Sequence, residues 1–154
     1  MINSLDLVES VASHAMASGR FSFVNQHEPK SPPGTDIYAA VWVASVGPAP
    51  SYSGLAVTTA YVVLNVRIYT NMIGEPQDMI DPKIMEAVDD LMTRYSADFT
   101  LDGLAMAIDL LGQGGQNLSA EAGYVQIGGK EGAMYRVMTI NLPMIIENAW
   151  VQAP

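Results

Sequence analysis

From Thr58 to Asn71 the chain alternates between apolar and polar positions almost without a fault. Ala60, Val62, Leu64, Val66 and Ile68 fall on one side, and Tyr61, Val63, Asn65, Arg67 and Tyr69 on the other. Side chains of a strand alternate between faces, so this pattern predicts a long strand with one dry face and one mixed face. The last third repeats it. Met138, Ile140, Leu142, Met144 and Ile146 share one face; Tyr135, Val137, Thr139, Asn141 and Pro143 share the other. At about 3.3 Å per residue each strand reaches roughly 40 Å, which is long for a small domain.

Helical spacing appears twice. Leu5, Val8, Ala12, Ala15 and Met16 form a stripe that Ser4 precedes and can cap, with Gly19 placed to end it. Asp81-Pro82 predicts a second start, Asp capping and Pro in the first position, followed by a stripe of Ile84, Val88, Leu91, Met92 and Tyr95. Shorter strands are expected over 21–25, 104–111 and 123–127, and a central one, apolar on both faces apart from Ser45, over 37–46. Pro143 cannot donate to a ladder and marks an edge, a bulge or the place where pairing stops. Two loops, about 26–37 and 47–57, are rich in Pro and Gly. The order helix, strands, helix, strands predicts an α+β fold in a single domain, 1–154: a mainly antiparallel or mixed sheet with two helices on one face.

Composition narrows the function classes. With 49% hydrophobic and 15% charged residues the chain can fill a core. Ten methionines add adaptable packing. The net charge of −9 and seven scattered basic residues argue against gripping nucleic acid through its phosphates. Cysteine is absent, which excludes disulfides and thiolate metal sites. No apolar run reaches the roughly 20 residues of a membrane span, and the start MINSLDLVES lacks the basic charge of a signal peptide. A soluble, intracellular protein is expected.

Residues in catalytic patterns are few. His14 sits near a helix end, where a cation suits the dipole, and His27 opens a proline-rich loop. No nucleophile elbow, zinc-protease motif or phosphate loop ending in Gly-Lys-Ser is present. Gly112-Gln-Gly-Gly115 reads as a flexible turn rather than an anion cradle, since no basic residue follows it. Asp98, Asp102 and Asp109 are one group to consider for a divalent cation and Asp89 with Asp90 another, although Asp102-Gly103 is also a turn dipeptide and Asp89-Asp90 lies on the polar side of a helix. Arg67 lies on the mixed face of its strand. Arg136 lies by alternation on the apolar side of its own, as an end-of-strand residue bonded to a neighbouring acid or as half of an intersubunit salt bridge.

An ordered series of segments completes the reading: VLNVRIYTN at 63–71, MIDPKIMEAVDDLM at 79–92, FTLDGLAMAIDLLGQGG at 99–115, AGYVQIGG at 122–129 and YRVMTINLPMIIENAW at 135–150. The series resembles the tail terminator proteins of long-tailed bacteriophages, also called tail-to-head joining or tail completion proteins, best over residues 58–150. The resemblance implies a non-enzymatic virion protein with no cofactor and no metal. Six copies would form a ring at the head-proximal end of the tail, assembled in the host cytoplasm. The ring caps the tail tube, stops its polymerisation and offers the head connector a docking surface, and DNA later passes through it.

On that resemblance, Pro32, Pro33, Tyr52 and Leu55 on the two loops are expected to dock onto a ring below, Arg67 and Arg136 to contact other subunits, and Glu75 and Asp78 to face the lumen. The acidic balance suits a pore that DNA crosses without sticking. Two other readings stand beside it: another ring or tube component of the same virion, such as a head-completion or tail tube protein, and more distantly a small-molecule or metal-binding domain using the three aspartates.

Overall fold

A computed structural model describes residues 1–30, 36–49, 52–71, 77–128 and 133–152. The chain runs α1 (Ser4–Ala17), β1 (Val24–Asn25), β2 (Tyr38–Pro48), β3 (Val57–Asn71), α2 (Ile80–Ala97), β4 (Ala107–Ile108), β5 (Ser119–Ile127) and β6 (Ala133–Val151). It is the expected α+β arrangement: one mixed six-stranded sheet, not closed into a barrel, and two helices. The order is β1-β2-β3-β6-β4, with β5 also paired to β6, and every pairing is antiparallel except β1 with β2.

The alternation read from the sequence sets the layers. Val41, Val66 and Ile140 lie in one row across three strands, and Leu64 faces Leu142 in the next. This dry face packs against Val8, Val11, Ala12 and Ala15 of α1 and Ile84, Val88, Leu91 and Tyr95 of α2, forming the main core. The apolar stripe of α1 is centred differently from the expectation. Leu5 and Met16 are exposed, and Leu7 and Val11 take the core positions, because the helix lies on the sheet along its 7-8-11-12-15 face. The opposite face carries two smaller clusters. Tyr38, Tyr69, Tyr135 and Val137 make one, and Tyr61, Val63 and Ile145 the other.

Three local expectations need correction. Asp81 is not the cap of α2: the helix begins one residue earlier, after a 3-10 turn over Gln77–Met79, and its N-cap Met79 makes no side-chain bond. Asp81 and Pro82 therefore sit within the first turn, where acid suits the dipole and a missing N–H costs nothing. The strand expected over 104–111 shrinks to Ala107–Ile108. Leu101, Asp102 and Gly103 all have positive φ, and the 98–105 turn spends its hydrogen bonds internally, for example Leu101 N–H to Asp98 C=O and Ala105 N–H to Thr100 C=O. Conversely, β5 is longer than the 123–127 segment expected, because the edge of β6 pairs with Ser119, Ala120 and Glu121 as well.

Pro143 marks a change of partner. On its β5 side, β6 pairs with β5 up to Asn141 and with β4 from Met144. The Pro143 carbonyl accepts the Asp109 N–H at 2.9 Å on that same side. The N and C=O of one strand residue point the same way, so the donorless nitrogen falls in the gap between the two partners.

Candidate assembly surfaces

The sequence-derived candidates fall into separate regions rather than one site. Strand β2 connects the two loops and holds them apart. The described flanks of the 26–37 loop meet Tyr38, while the described part of the 47–57 loop leaves Pro48. At about 3.3 Å per residue, the strand separates them by roughly 33 Å. Their described flanks therefore lie at opposite ends of β2. Pro32, Pro33 and Glu75 lie outside the described residues.

At the end where β2 finishes, Leu55 is fully exposed, and the Tyr52 hydroxyl lies 3.2 Å from Gln113 Oε1, linking its loop to the 109–116 turn. Tyr52, Met106, Leu110, Leu111 and Ile145 line a shallow, largely apolar groove of about 330 Å³ between them. The two arms of the sheet here outrun the helices. Val43 and Val46 of β2 face the helix side but are uncovered, and Trp150 and Val151 are exposed at the end of β6. Bulges shape this end: Ala44 is the extra residue of β2, and the β3–β6 register shifts where Asn148 adopts φ 54°.

The 109–116 turn is not the flexible connection expected of its glycines. The Asp109 carboxylate, 4% exposed, accepts the backbone N–H groups of Gly112, Gln113 and Gly114 and the Tyr61 hydroxyl at 2.7–3.1 Å. Burial pushes the carboxyl up, but these four donors outweigh it and hold the group below its ordinary value. Burial and the adjacent carboxylate push the Tyr61 hydroxyl up to about 12. Its oxygen also accepts the Gln116 N–H at 3.0 Å. Sequence reading missed this hub. The one signal was an aspartate directly preceding Leu-Leu-Gly-Gln-Gly-Gly, a carboxylate positioned to collect the amides of the turn after it.

The hub also separates the three aspartates considered for a cation. Asp109 is committed to its turn. Asp98 Oδ2 is 2.8 Å from His14 Nε2, and its Oδ1 accepts the Asp102 N–H. Among the described residues, no three acidic or histidine side chains converge on a cation-sized space. His14, expected near a helix end where a cation suits the dipole, also latches α1 to the segment after α2, with its ring edge-on to Tyr95.

The opposite end holds the tyrosine cluster. Tyr38 stacks between Phe23 at 4.9 Å and Tyr69 at 4.5 Å, with Tyr135 edge-on to both tyrosines. Burial pushes the Tyr38 hydroxyl up. Arg136 lies at this end, and of its two readings the intramolecular one is realised. Its Nε donates to Asp81 Oδ1 at 2.9 Å and its guanidinium covers the Tyr124 ring at 4.5 Å. Asp78, exposed on the 3-10 turn, belongs to the same end. Arg67 lies between the ends on the mixed face, donating to Thr139 Oγ1 at 2.8 Å with its guanidinium over Trp42. No protein-family model matches this chain, and no curated protein matches it in sequence.

Proposed function

We propose that the chain is a ring-forming tail terminator of a long-tailed bacteriophage, a structural subunit that caps the tail tube and receives the head connector. The observation that carries the reading is the placement of the two Pro- and Gly-rich loops at opposite ends of β2. A terminator must contact a tube on one side and a connector on the other. A subunit with a Pro- and Gly-rich segment leaving each end of one strand supplies both contacts. Of the segments that carry the resemblance, 63–71 falls on β3, most of 79–92 on α2, 122–127 of the fourth on β5, and 135–150 on β6. The net charge of −9 suits a passage for DNA.

Separate shortening of the two loops tests this. Deleting residues 52–56 and deleting residues 28–35 should each leave a folded subunit. One deletion should abolish capping of tail tubes, seen as tubes of uncontrolled length by electron microscopy. The other should leave tubes of normal length that fail to join heads. Normal tails from both variants would overturn the reading. A mass series separates it from the tube-subunit alternative. A discrete species of six 16.5 kDa chains, about 99 kDa, fits a closed ring, whereas growth without limit fits a tube subunit.

A further inference from the structure

We infer that successive copies of this chain join by pairing the free edge of β2 with the free edge of β5 of the next copy, extending one sheet through the assembly. The inference rests on the ring reading and names the surface that would close it.

Among the described residues the sheet has two unpaired edges. Strand β1 covers β2 only at Ala39 and Ala40, leaving Val41–Pro48 uncovered. Strand β5 pairs with β6 along one side, and no described strand lies along its other side. An edge strand presents a row of unpaired N–H and C=O groups, and proteins that must stay apart blunt such edges with lysine, inward charge or proline. Here Val41–Pro48 carries no charge and β5 carries only Glu121. Val46 is half exposed on one edge and Tyr124 is exposed on the other. The only blunting on β2 is the Ala44 bulge and the terminal Pro48, which restrict register more than they prevent pairing.

The occupant is a second copy of the chain. On a protein of net charge −9 these two strips are nearly neutral, so two copies meet there without opposing like charges, whereas a basic partner would be drawn to the acidic faces. Direction agrees. Strands β2 and β6 run one way, β3 and β5 the other. A neighbour related by a small rotation therefore presents β5 antiparallel to β2 and continues the alternation already in the sheet. A head-to-tail contact also uses both free edges at once, which a two-fold contact of β2 with β2 would not.

The offset of the two edges fits closure. Ser45 lies level with Pro143, both facing Val63, whereas Gly123 at the middle of β5 lies level with Val137. The edges are thus staggered by about six residues, roughly 20 Å, against a repeat of four strand spacings, roughly 19 Å. Such a stagger inclines the strands by about 45°, at the upper end of the tilt that closed sheets adopt.

The absence of cysteine makes the test direct. Ser45→Cys, Glu121→Cys and Gly123→Cys variants would be prepared singly, mixed in pairs under mild oxidation, and compared with Val46→Lys by light scattering. The expected result is a disulfide-linked dimer in mixtures of the β2 variant with a β5 variant, none in Ser45→Cys alone, and collapse of Val46→Lys to 16.5 kDa with an unchanged melting temperature. A species near 99 kDa that yields no mixed disulfide would overturn the edge pairing and leave the ring reading standing. Self-linking of Ser45→Cys would overturn it in favour of a two-fold contact. A monomer at every concentration would overturn it as the joining contact, and the loop deletions would then decide the ring reading separately.

Discussion

The Tyr61 hydroxyl lies 2.7 Å from Asp109 Oδ2, joining the inner strand β3 to a turn 48 residues later in the chain. Removing one partner of a buried pair leaves the other with an unsatisfied group, at a cost of about 1–3 kcal/mol. Tyr61→Phe is expected to lose stability in that range, read from the urea midpoint. Asp109→Ala should lose more, because three turn amides lose their acceptor with it. Equal midpoints for Asp109→Ala and the parent would refute the role of the hub.

Acid should unfold the protein partly through this carboxylate. Asp109 in the folded chain is held below its ordinary value of 3.8, and Asp98 is lowered too, chiefly by the Asp102 N–H and then by His14. A depressed folded value contributes stability that is present in full above the unfolded value and is lost as pH falls through the folded one. Urea midpoints should therefore be insensitive to these groups above about pH 5 and fall steeply below pH 4. Asp109→Asn should flatten that acid limb. A limb unchanged in the variant would assign it to other carboxylates.

Gly114 is required by space rather than by backbone conformation. A Cβ there would come within 2.5 Å of a Tyr61 ring carbon, in a ring held on both sides by the hub. Gly114→Ala should cost about 1–3 kcal/mol as overpacking. At Gly47 a Cβ meets nothing within 4 Å, so Gly47→Ala in β2 should be neutral or slightly stabilising. Thermal melts of the two variants side by side would show the contrast, and similar melts would contradict it.

Arg136 and Asp81 form an intramolecular pair, but Asp81 is 64% exposed, so solvent screens much of the attraction. Their coupling in a double-mutant cycle should stay below about 1 kcal/mol. Charge exchange between the two should leave the assembled mass unchanged. A change in mass without a change in monomer stability would restore an intersubunit role for Arg136.

The sheet was legible because strand alternation depends on little beyond the chain itself. The rows containing Val66 and Ile140, and Leu64 and Leu142, follow from polarity alone. Segments whose structure depends on a distant partner were misread. Ser119–Glu121 is polar and small, yet is strand because β6 offers it a ladder. Leu104–Leu111 is apolar, yet only Ala107–Ile108 is strand, because the carbonyls of Phe99, Thr100 and Leu101 take three of its N–H groups. The candidate residues were dispersed for a related reason: the sequence distance between the loops says nothing of the straight strand that separates them. The hub at Asp109 escaped notice because its meaning lies in Tyr61, and composition cannot bring those two together.

The nitrogen of Pro143 has one further effect, on folding errors. A strand can slip by two residues and still keep every side chain on its proper face, so polarity alone does not forbid that mistake. If β5 slid along β6 toward the chain's end, one of its carbonyls would meet a position with no hydrogen to give. The proline thus acts as a stop that admits β5 up to Asn141 and leaves Met144 and Ile145 to β4. Replacing it with valine would remove the stop while preserving the native contacts, so its absence would show in refolding fidelity before it showed in the melting temperature.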